Sequence, residues 1–170
     1  MKRLFKVALV AGFMLLTAGF AKAQSKVGYI DFNALIDAMP ETKTVSTNLQ
    51  AYSKTFMDQL QNMQTELQTK GAAYQKSSAT MTDATRTATE SELQDMNKRI
   101  QDFNNNAQQQ VEAKRNELGK PLFDKAKAAI TAVAKEKGYA YVLDSGTTNL
   151  IVSPAGDDLL ASVKLKMGLK

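Results

Sequence analysis

From Val45 onward the apolar residues fall at Val45, Leu49, Tyr52, Phe56, Leu60, Met63, Leu67 and, after Gly71, Tyr74, in steps of four, three and four that repeat every eleven residues when Gly71 is counted on the stripe. An eleven-residue period is close to the natural α-helical repeat, so the spacing predicts a long, nearly straight helix with one apolar seam and little supercoil. A second stripe, Leu93, Met96, Ile100, Phe103, Ala107 and Val111, has heptad-like spacing against a very polar opposite face. Two such stripes pack on one another. Between them, Ser77 to Asp83 is rich in small polar residues that compete with helical hydrogen bonding, which places the turn there, with Thr82 or Asp83 as the N-cap of the returning helix. Pro40 opens the first helix, and Gly119-Lys120-Pro121 is expected to break the second, because proline removes a helical hydrogen bond. Residues 41–80 and 83–119 thus form two matched arms. At about 1.5 Å per residue each reaches roughly 55–60 Å.

Both flanks of the hairpin read as sheet. Val27-Gly28-Tyr29-Ile30 is a short β-prone run, and Tyr139 to Leu143 and Leu150-Ile151-Val152 are two more, predicted to form a β-hairpin through Ser145-Gly146. Short helices are expected around Phe32 to Met39, through Leu122, Ala126, Ile130 and Val133 up to Gly138, and through Leu159, Leu160, Val163 and Met167 behind an Asp157 or Asp158 cap. The pattern predicts an α+β fold, with a small sheet body from 24–40 and 120–170 and the antiparallel helical hairpin of 41–119 projecting from it. A three-stranded sheet with a thin core and open apolar edges is marginal alone. Self-association of the body is the expected remedy, carried by Val27, Tyr29, Tyr141, Leu143, Leu150 and Val152.

The first residues change the picture of where this happens. Lys2, Arg3 and Lys6 precede an uncharged apolar run from Val7 to Phe20, and Ala21-Lys22-Ala23 has the form of a processing site, so residues 1–23 are expected to be a cleaved export signal. Its loss removes four positive charges and no acid, taking the formal net charge from +5 to +1. The basic character therefore belongs mostly to the signal, and the mature chain lacks the concentrated positive face that nucleic-acid binding requires. Without cysteine, neither an acylated-cysteine anchor nor a disulfide framework is available.

Catalytic equipment is also missing. With no histidine and no cysteine, the usual general base, the thiol nucleophile and most transition-metal sites are excluded, and no catalytic, metal or cofactor site is expected. Gly71 to Ser77 superficially suggests a phosphate-binding loop, but Lys76 stands where the second glycine is required and no strand precedes it. Residues 41–137 carry 14 basic and 12 acidic side chains, well mixed, as solvated helix faces do. Lys70, Lys76 and Arg86 near the tip offer at most a weak contact with anionic lipid, diluted by Asp83 and Glu90. Methionine is an adaptable apolar side chain. Met63 and Met96 lie on the seam, whereas Met57 lies off it and Met81 near the tip, which makes the latter two the candidate contacts to an apolar partner.

Several ordered pieces resemble the Skp/OmpH family of periplasmic chaperones: Val27-Gly28-Tyr29-Ile30-Asp31 followed by Met39-Pro40-Glu41, Met81-Thr82-Asp83, Lys120-Pro121-Leu122, and Ala132 to Asp144. The likeness spans residues 26–170. It implies a homotrimer whose bodies join in a barrel-like core while three helical hairpins surround a cavity, and an ATP-independent holdase for unfolded outer-membrane proteins. The near-neutral mature chain departs from the strongly basic family pattern, so capture would rest on many weak apolar contacts and on confinement. The alternative reading of the same hairpin is an envelope adaptor or spacer that uses it as a coiled-coil arm for one folded partner.

Overall fold

A computed structural model describes residues 25–169; the predicted signal peptide lies outside the described residues. β1 (Lys26–Ile30) ends at Asp31, whose carboxylate accepts the Ala34 N–H at 2.9 Å and so caps α1 (Phe32–Ala38). Pro40 then starts α2 (Pro40–Ser77), at a position where the missing N–H would have had no helical partner. A single 3₁₀ turn, Ser78–Thr80, reverses the chain. The Thr82 hydroxyl accepts the Thr85 N–H at 3.3 Å and caps α3 (Asp83–Glu136). Gly138, at φ +74°, ends that helix in the left-handed conformation that glycine adopts without strain. β2 (Tyr139–Asp144), a 3₁₀ turn at Ala155–Asp157 and α4 (Leu160–Lys166) complete the fold, with the Asp158 carboxylate accepting the Leu160 N–H at 2.9 Å. Among the described residues no helix is long and apolar enough to cross a membrane.

The architecture is the expected α+β one, a long helical hairpin on a small sheet, with two departures. The first is at Pro121, where the helix continues: α3 is 54 residues long and runs from the tip directly into the body. Proline forfeits one hydrogen bond, to the Glu117 carbonyl, but Glu117 and Pro121 both occupy exposed positions while Leu122 and Ala126, immediately beyond, are buried in the body core. Tertiary burial outweighs the local penalty, and the Phe123 ring folds back over Gly119, where a Cβ would stand 3.1 Å from it. The 119/120 boundary between arm and body therefore falls inside one helix.

The second departure is in the sheet, which has two strands instead of three. β1 and β2 pair in parallel, with Val27 beside Tyr141, Tyr29 beside Leu143 and Ile30 beside Asp144. Parallel neighbours need a long crossover, and here the whole helical hairpin is that crossover. The predicted β-hairpin does not form. Beyond β2 the Ser145 N–H donates to the Ile30 carbonyl at 2.9 Å, and the Asp144 carboxylate accepts the N–H groups of Gly146 at 2.9 Å and Phe32 at 3.2 Å and the Thr147 hydroxyl at 2.9 Å. The chain is thereby turned across the end of β1 instead of back along β2, and residues 150–152 are not in a strand. The far side of β1 is taken by the Asp158 region, through the Leu159 N–H to the Tyr29 carbonyl at 2.9 Å.

One core joins all of these pieces: Leu35, Ile36 and Met39 from α1, Leu122, Ala126 and Val133 from α3, Ile30 and Tyr139 from the strands, and Leu159 and Val163 from the C-terminal helix. Gly28 permits the closest approach within it. A Cβ there would stand 3.0 Å from the Tyr139 ring and 3.2 Å from the Asp157 carbonyl oxygen.

Candidate functional site

Two helices packed side by side have little interior, and the arm shows it. Leu49, Tyr52, Phe56, Leu60, Met63 and Leu67 are all half-buried, and no residue of α2 is fully buried. On α3, Leu93, Ile100 and Phe103 are half-buried, and Met96 (2% exposed) and Ala107 are buried along the arm, with Gly119 buried at its base. Aromatic contacts hold the middle of the seam: Tyr52 meets Phe56 edge-on at 5.1 Å, and Phe56 meets Phe103 at 6.1 Å. The Tyr52 hydroxyl donates to Gln110 Oε1 at 3.1 Å across the helices.

Beside this aromatic cluster a groove of about 300 Å³ runs along the arm. Phe56, Met57 and Leu60 line it from α2 and Phe103, Ala107 and Val111 from α3, with Ser53, Asn104, Gln108, Glu112 and Arg115 as its polar lining. Met57 is 66% exposed at its margin. Met81, the other singled-out methionine, is half-buried at the tip, and its carbonyl accepts a long hydrogen bond from Arg86 at 3.5 Å. The structure therefore brings Met57 to an apolar groove and leaves Met81 outside it.

The tip is polar. Lys70 pairs with Glu92 and Tyr74 donates to Glu90, both across the helices. The hydrogen bond to Glu92 holds the Lys70 pKa above its ordinary value, and that to Glu90 does the same for Tyr74. Arg86 lies 3.6 Å from Asp83. Of the three cations that could meet an anionic lipid, two already face carboxylates.

On the body, Val27, Tyr141 (64% exposed) and Leu143 present apolar surface along the sheet, and β2 has no partner on its outer edge among the described residues. Tyr29 is half-buried, its hydroxyl donating to the Ser153 carbonyl at 3.4 Å. Leu150 is half-buried, whereas Ile151 (93% exposed) and Val152 (81% exposed) project from the loop. A second groove, of about 590 Å³, lies between β2 and α3, lined by Phe32, Phe123, Ile130, Val142 and Leu143 with Lys127 and Lys135 among its polar residues. The six body residues named from sequence thus fall into a sheet group and a loop group that do not touch as a hairpin. Phe123 and Ile151 are exposed large apolar residues outside that set of six. Phe123 carried a signal, being apolar yet one position off the Leu122–Ala126–Ile130–Val133 stripe.

Among the described residues there is no group of three or more metal-ligating side chains. The model of a family of OmpH-like outer membrane proteins matches residues 26–167. Comparison with curated proteins finds no match. Among solved structures, that of an OmpH-like protein from Caulobacter crescentus CB15, described as a proposed outer membrane chaperone, is similar with a TM-score of 0.66 at 16% identity, covering 84% of this chain and 83% of the other.

Proposed function

Because this chain belongs to the OmpH-like family of outer membrane proteins, we propose that it is a periplasmic holdase, which binds unfolded outer-membrane proteins without nucleotide and keeps them from aggregating. The observation that carries this reading is the arm itself: a helix of 38 residues with no fully buried residue, flanked by a groove at which Met57 stands open. An apolar surface of this kind gives weak, unspecific contacts, which become useful when several act on one flexible chain at once. Three copies supply that multiplicity. In this reading the bodies join through the outer edge of β2 and the exposed Val27, Tyr141, Leu143, Ile151 and Val152, since an unpaired edge with apolar side chains is a template for further strands. Three arms then enclose a space in which the bound chain is separated from other unfolded chains.

The test is light scattering on dilution of a urea-denatured outer-membrane barrel into buffer with increasing 24–170 protein and no nucleotide. The expected result is suppression that saturates near three chains per barrel protein. Undiminished scattering at excess protein would refute the holdase.

A further inference from the structure

The hairpin is not uniform along its length. Up to Leu67 and Leu93 its two helices are held by apolar contacts, with Met96 and Ala107 buried and Phe56 against both Tyr52 and Phe103. Beyond that rung, from Thr69 to Glu92, neither helix has a buried residue. The polar links across the pair there are Lys70 to Glu92 and Tyr74 to Glu90, beside the half-buried Tyr74 and Met81. Such exposed polar contacts contribute little, since water competes for them and salt screens them.

Two further features weaken the same stretch. Gly71 stands inside α2 with nothing within 4 Å of the place a Cβ would occupy, so it gives the helix neither side-chain packing nor the restricted backbone of alanine. At the turn, Arg86 Nε is enclosed without a hydrogen-bond acceptor. Segments with few buried apolar contacts and exposed backbone hydrogen bonds open at low free energy while the rest of a protein stays folded.

We propose that residues 71–92 are a separately opening tip, hinged at Gly71 and latched by the Lys70–Glu92 and Tyr74–Glu90 contacts, while the proximal arm stays paired. Opening frees the inner faces of Tyr74 and Met81, both half-buried in the closed hairpin, and so lengthens the apolar surface the arm can offer. Other charges also bear on the latch. Lys70 has Glu66 on its own helix at 3.8 Å and feels Arg99 from α3, and Tyr74 feels Arg86. The inference concerns the arm alone and stands whether or not the arm binds unfolded chains.

Hydrogen–deuterium exchange on the 24–170 protein tests it. Amides of 71–92 should exchange at least tenfold faster than those of 49–67 and 96–111. Gly71→Ala should slow the tip about four- to fivefold, the difference between the two residues in a helix interior, and leave the proximal arm unchanged. Tyr74→Phe combined with Glu92→Gln should speed the tip alone. Equal protection along the whole arm, or a Gly71→Ala variant that slows both halves alike or neither, would overturn the proposal.

Discussion

Met57 and Met96 are the same side chain on the same arm, and their surroundings predict opposite consequences for truncation. Met96 is 2% exposed within the seam, whereas Met57 is 66% exposed at the groove. Met96→Ala removes three heavy atoms from an apolar environment, worth about 2–2.5 kcal/mol at roughly 0.8 kcal/mol for each buried methylene-sized group. A residual cavity would add to this in a rigid core. Here the seam is only two helices thick and half open, so it can close over the gap, and the loss should stay near about 2–3 kcal/mol. Met57→Ala removes the same atoms from a side chain already in contact with solvent, and should change stability by no more than about 0.5 kcal/mol. Its effect belongs to binding: suppression of aggregation should need more protein. Urea denaturation followed by far-UV circular dichroism measures the first quantity, and light scattering with a denatured barrel protein measures the second. If Met57→Ala were as destabilising as Met96→Ala, or if Met96→Ala were silent in the urea titration, the assignment of seam and open groove would be wrong.

Other consequences follow from single contacts. Burial works to raise the Asp144 pKa, but the hydrogen bonds from the Phe32 and Gly146 N–H groups and the Thr147 hydroxyl outweigh it and leave the carboxyl below its ordinary value. A lowered folded-state pKa contributes stability that is present above the unfolded value and is lost as pH falls through the folded one. Asp144→Ala should therefore cost about 1–2 kcal/mol at pH 7 and progressively less below pH about 4, read from urea midpoints at the two pH values. Gly28→Ala places a Cβ 3.0 Å from the Tyr139 ring and should cost about 1–3 kcal/mol as overpacking, seen as a lowered thermal midpoint. Tyr74 is raised by its hydrogen bond to Glu90, so the contact is intact below the ordinary tyrosine value and lost as pH rises through the raised one. Helicity measured from pH 8 upward should show an alkaline loss that Tyr74→Phe reduces, leaving the part that belongs to the Lys70–Glu92 pair.

The hairpin was legible because its information is local and repeated. The spacing from Val45 to Tyr74 fixes one face of a helix, and Thr82 offers an oxygen at the place where the first N–H groups of α3 need one. Pro121 is the converse case. Its local cost is one helical hydrogen bond, but whether a helix survives that cost is decided by Leu122 and Ala126, whose burial depends on α1 and α4. The run Leu150-Ile151-Val152 shows how little β-propensity says about partners. Its residues suit a strand, yet the hydrogen bonds to Asp144 turn the preceding chain across β1, and Ile151 and Val152 are left projecting. At the arm, position relative to the seam separates Met57 from Met63 and Met96, but no sequence pattern announced a groove, because the groove is made by the gap between Phe56 and Leu60 on one helix and Phe103 and Val111 on the other.

The central claim is that several copies of this chain hold one unfolded outer-membrane protein, and the most direct measurement is the mass of the complex. The 24–170 protein is mixed with a barrel protein diluted from urea, without nucleotide, and passed through size exclusion with multi-angle light scattering. The account predicts one species whose mass equals three copies of this chain and one barrel protein. A chain that elutes at monomer mass, with the barrel protein lost to aggregate, would contradict it.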